Sequence, residues 1–128
     1  MANLLKTGAD WLAGQLEDHA SEVVEYVRGT AVCSLKAARG SSDFESLDEF
    51  GGAVLIRSVD FLVRRSRLDL GEGETEPAVG DLVIVCEGQK TVTYEVTPFG
   101  PNQQHFRPSD QNRQMWRIHT QRVIVAGG

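Results

Sequence analysis

A chain of 128 residues is one domain by length, long enough to bury a single modest core. Hydrophobic residues make up 41% and charged residues 24%, an ordinary globular balance that argues against a disordered chain. The formal net charge of −5 excludes general electrostatic attraction to nucleic acid or anionic membrane, and no apolar run is long enough to span a bilayer as a helix.

The opening MANLLKTGADWLAG lacks a secretory apolar core, so a soluble cytosolic product is expected, with no membrane partner. Residues 4–20 place Leu5, Leu12, Leu16 and Ala20 at helical spacing, with Trp11 beside them. Thr7 and Asp10 have capping-box-like spacing, so the regular helix is expected to begin near Thr7. Its apolar stripe packs on the domain or docks on another subunit, which makes Leu5, Trp11 and Leu12 candidate interface residues.

The texture then changes. EVVEYVRG (22–29) and AVCSLKAA (31–38) read as strands parted by Gly29. A polar stretch near 39–52 follows and is expected as a loop; within it DFESLDEFGG (43–52), with Phe44, Ser46, Asp48 and Phe50 on one parity, reads as a strand or an acidic loop. AVLIRSVDFLVR (53–64) reads as a strand kinked near Ser58–Asp60, and Arg65–Leu70 as a short turn or one helical turn. GEGETEP (71–77) is an acidic, Gly-rich loop within a longer one near 70–80.

GDLVIVCEGQKTVTYEV (80–96) is a hairpin turning at Glu87-Gly88-Gln89-Lys90, with Val83, Val85, Val92, Tyr94 and Val96 toward the core. A third long loop is expected near 99–114, and QMWRIHTQRVIV (114–125) closes the chain as a strand. The fold class is therefore mainly β: a small barrel or sandwich of six to seven strands, one N-terminal amphipathic helix and long loops, in a single domain over 1–128. Loops of that size commonly carry the function of a small scaffold.

Chemistry is sparse. The histidines, His19, His105 and His119, are not spaced as metal ligands, so no metal and no cofactor are expected. His119 alternates with Arg117 and reads as part of a solvated or interface face. Cys33 and Cys86 sit in strand-like runs as small sheet residues. VIVCEG offers no electropositive setting for a Cys86 thiolate, and the carboxylate clusters lie in polar loops, so no enzyme is expected. An OB-like single-strand binder would use Phe106, Arg107, Trp116 and Arg117.

Charge is uneven. Residues 40–81 hold ten acids against four bases, and residues 97–128 hold four arginines against Asp110 alone. Such polarity suits copies that meet head to side. Asp43, Glu45, Asp48, Glu49, Glu72, Glu74 and Glu76 on one side, with Arg107, Arg113 and Arg117 on the other, are the candidate interface.

VDFLVRRSRLDL (59–70), GDLVIV (80–85) and TYEVTPFGP (93–101), in that order after a helix and a Gly-containing strand, carry a resemblance. The chain is similar, mainly over 55–98, to the head–tail joining (head-completion or neck) proteins of tailed bacteriophages. It also looks like prophage-encoded proteins that share its Ala9-Asp10-Trp11-Leu12 to Arg28-Gly29 opening. It departs from the neck proteins in a longer C-terminal region, 106–125, that ends in a strand.

The resemblance implies a virion structural protein. It implies a barrel protomer that forms a ring with itself, commonly a hexamer, between a portal or adaptor protein and a tail or tail-terminator protein. DNA passes through such a ring without specific binding. The location implied is the virion neck, reached from the host cytoplasm during assembly. A tail-terminator ring is the alternative structural role.

Overall fold

The computed structural model describes residues 21–100, 103–109 and 112–127. The helix expected over 4–20, with Leu5, Trp11 and Leu12, lies outside the described residues.

Among those residues the chain forms strands β1 (Ser21–Arg28), β2 (Ala31–Leu47), β3 (Ala53–Arg64), β4 (Leu82–Glu87), β5 (Lys90–Val96), β6 (Phe106–Pro108) and β7 (Met115–Gly127). Arg65–Arg67 make one 3-10 turn after β3, where a short turn is expected from the sequence. Two-residue turns join β1 to β2 and β4 to β5, since Arg28 faces Ala31 and Glu87 faces Lys90. Both need a left-handed residue at their first position, and glycine supplies it: Gly29 at φ 61° and Gly88 at φ 67°.

All pairings are antiparallel, in the order β3-β2-β1-β4-β5-β7-β6, and β3 also pairs with β7. The sheet thus returns on itself, but the closing ladder covers only Val59–Arg64 against Met115–Thr120. Beyond Val59 and Thr120 the two strands part, so the barrel is incomplete. The first half of β7 pairs with β3, and its second half runs along β5, with a register shift at Thr93/Tyr94.

The core follows strand alternation. Val24 and Tyr26 of β1, Leu35 and Ala37 of β2, Phe61 and Val63 of β3, and Ile118 of β7 are buried. So are Val83, Val85, Val92, Tyr94 and Val96, the five hairpin residues expected there. Phe61 and Tyr94 meet edge to face at 5.2 Å. Cys33 on β2 is half-buried, Cys86 on β4 is exposed, and both are free thiols.

Three readings are corrected. Most of the expected 39–52 loop is strand: β2 runs to Leu47, and only 48–52 turn, with Asp48 Oδ1 accepting from the amides of Phe50 (2.9 Å) and Gly52 (2.7 Å). β3 passes through Ser58–Asp60 without a break; what changes there is exposure, from a solvated half (Ala53–Arg57) to a buried one. His119 is buried, not solvated, because Phe44 of β2 covers its ring edge-on at 5.1 Å. The 70–80 loop stands as expected, and β6 interrupts the one near 99–114.

Candidate assembly surface

Past Ala38, β2 has no partner in β1 among the described residues and continues with β3 as a two-stranded arm. Its root is fixed by Asp60, a fully buried carboxylate. Asp60 accepts from Ser42 Oγ (2.5 Å), Ser58 Oγ (2.5 Å), Arg117 Nη1 (2.8 Å) and His119 Nδ1 (2.8 Å). Burial by itself raises the pKa of a carboxyl, but these four donors outweigh it and hold Asp60 well below the usual carboxylate range. One ion therefore ties β2, β3 and β7 together where the arm leaves the barrel. Gly40 makes room for it: a Cβ there would lie 3.1 Å from Arg117 Nη1 and 3.2 Å from Leu62 Cδ1.

Ser42, His119 and Asp60 do not form a nucleophilic triad. The serine hydroxyl donates to the carboxylate, whereas a triad would need it on the imidazole. A cleft of about 360 Å³ beside them is lined by Ser42, Asp43, Phe44, Gln103, Gln104, Phe106, Arg107 and His119. Among the described residues no three His, Cys, Asp or Glu side chains cluster to hold a metal.

Two further clasps set the ends of the barrel. Asp81, buried at the start of the hairpin, accepts from Tyr26 Oη, from Arg28 Nε (2.9 Å) and Nη2 (2.7 Å), and from the Ala78 amide (2.9 Å). Burial opposes its ionisation, yet Arg28 leads a donor set that lowers its pKa. Arg28 also donates to the Glu76 carbonyl, so the acidic loop before the hairpin is tied down at its end. At the opposite end Arg39 reaches Glu22 (2.8 Å) and Glu87 (2.7 Å) and lies over the rings of Phe61 and Tyr94, both at 5.3 Å.

The candidate interface residues divide. Asp43 pairs with Arg57 across the arm at 2.8 Å, and Glu74 with Arg65 at 3.3 Å. Asp48 caps the arm's turn, and Glu45, Glu49, Glu72 and Glu76 have exposed side chains. Arg107 and Arg113 are exposed, whereas Arg117 is engaged on Asp60. No exposed aromatic and basic platform forms from Phe106, Arg107, Trp116 and Arg117. Trp116 is 5% exposed and packs edge to face with Phe106, so it cannot stack a base without opening the sheet.

Sequence reasoning missed the apolar part of the surface. Leu47 (73% exposed), Phe50 (89%) and Leu55 (63%) stand in solvent on the arm, with Val54 and Ile56 partly so. On the far half of β7, Val123, Ile124 and Val125 are exposed in the same way. The available signal was the pair of consecutive apolar runs, VLI and VIV, which a strand buried on one face does not require.

The family model for the phage head-tail joining protein matches residues 2–126. The chain belongs to that family. The match extends the resemblance seen over 55–98 to nearly the whole chain, including the C-terminal strand. Membership makes this a structural protein of the junction between phage head and tail. No curated relative matches the chain.

Proposed function

We propose that the chain is a structural subunit of the phage neck, forming a closed ring with copies of itself between the DNA-filled head and the tail. The observation that carries the reading, beside family membership, is the arm. A ribbon that shows apolar side chains on both faces gains little by folding alone and much by being covered. Its acids and the arginines of 97–128 offer opposite charge to adjoining copies in a heterologous, closing contact. A hexamer is the expected ring, with a portal or adaptor on one side and a tail or tail-terminator protein on the other. The net charge of −5 suits a channel through which DNA moves without sticking. The site of action is the virion neck, reached after assembly in the host cytoplasm.

The test is a phage that lacks the gene, imaged by negative stain. Filled or leaking heads without tails are expected, and tailed particles should return when the chain is supplied in trans. Normal tailed particles in its absence would overturn the neck role. Labelled chain found on the tail side of the joint, with intact heads, would move the role to tail terminator.

A further inference from the structure

Two strand halves leave one edge each without a ladder partner among the described residues. β3 pairs with β7 only from Val59 onward, so Ala53–Ser58 bond to β2 alone. β7 pairs with β3 only up to Thr120, so Gln121–Gly127 bond to β5 alone. Every residue of 121–127 is exposed. Bare, apolar, β-branched edges are templates for strand pairing, and soluble proteins cover or blunt them. Neither of these is blunted by a proline, and the β7 edge carries one charge, Arg122.

We propose that these two edges pair with each other between copies: Ala53–Ser58 of one chain adds as a strand to Gln121–Gly127 of the next. This rests on the ring reading and assigns its contact. The sequences fit. The antiparallel register that sets Val59 against Thr120 within a chain, carried forward between chains, sets Ile56, Leu55 and Val54 against Val123, Ile124 and Val125. Six residues meet seven, and each apolar residue meets another.

Charge needs one mediator: the same register sets Arg122 opposite Arg57, while the arm over 41–58 holds four acids against that one arginine. Asp43, already on Arg57, shares the arm face that Arg122 would join, so a carboxylate stands beside the two guanidiniums. Within one chain the edges do not meet, because the arm root is held at Asp60 and β7 turns away along β5. The contact is heterologous, since each copy gives one edge and receives the other, and it closes into a ring.

The test is disulfide trapping in a Cys33→Ser, Cys86→Ser background. Leu55→Cys and Ile124→Cys in one chain should give a ladder of bonded chains up to ring size in tailed particles complemented with that variant. Either cysteine alone should lose the ladder. Purified Leu55→Cys chain mixed at high concentration with purified Ile124→Cys chain should give a bonded dimer.

Tailed particles that contain the chain but show no bond between chains would overturn the edge contact and leave the neck role standing. A bond within a single chain would overturn it too, by showing that the edges zip internally. If the chain is absent from tailed particles the neck role fails, and the mixed purified chains then decide: no bonded dimer overturns the contact. Both cysteines replace exposed side chains, and an unchanged melting curve for each variant checks the fold.

Discussion

At the scale of single residues, one aspartate decides the most. Asp60 is fully buried with four donors, and removing it strands Arg117 and His119 around a void. Asp60→Ala is expected to cost about 3–5 kcal/mol in urea unfolding, the range for breaking a buried ion pair. The pH effect has a definite sign. The folded pKa of Asp60 lies below its unfolded value near ~4, so the unfolded state binds the proton first. The stabilisation is complete above that unfolded value and is lost as pH falls toward the folded one. Asp60→Asn should flatten that acid-side loss, measured as urea midpoint against pH. Tyr26→Phe removes one donor to Asp81 and is expected to cost about 1 kcal/mol. An acid inside VDFLV is visible in the sequence as an anomaly. Its partner His119 is not, because the two are 59 residues apart and only the β3–β7 register sets them side by side.

At the scale of elements, the arm separates assembly from folding. Leu55 and Phe50 touch little in the single chain, so Leu55→Asp or Phe50→Ser should move stability by no more than about 0.5 kcal/mol. The same changes should lower the yield of tailed particles in complementation. Hydrogen exchange should grade along β3, fast over Val54–Arg57 and slow over Phe61–Val63, where both edges are paired. The hairpin 82–96 was legible down to its core residues because one of its faces is buried, so apolar and polar residues alternate. The strand through 39–47 was not. Its inward face, Ser42, Phe44 and Ser46, is only half-buried and carries two serines, so the alternation prints faintly and the serines and acids read as loop.

For the whole molecule, charge and topology act together. If neighbouring copies meet acid to base, sedimentation velocity should show the oligomer weakening as salt rises, since exposed pairs are screened within about 8–10 Å at physiological ionic strength. The number of strands and the mainly β class were readable from turn residues and apolar runs. The closure of the sheet was not, because the β3–β7 ladder joins segments more than fifty residues apart through side chains that look the same whether the sheet is open or closed. The charge split between 40–81 and 97–128 was visible in the sequence, but the apolar edges beside it were masked by their resemblance to ordinary core strands.

The continuity of β2 has a mechanical meaning. Its 17 residues form one unbroken strand from barrel wall to arm tip, roughly 55 Å at the rise of a β-strand. A beam of that length is a lever, and a load applied at Phe50 is magnified at its fulcrum, where Asp60 holds Ser42 and Arg117. An arm loaded at its tip would then give first at that clasp, bending before it unfolds. In Asp60→Asn the softening would be felt as compliance of the arm under a pulling tip, with the barrel behind it still intact.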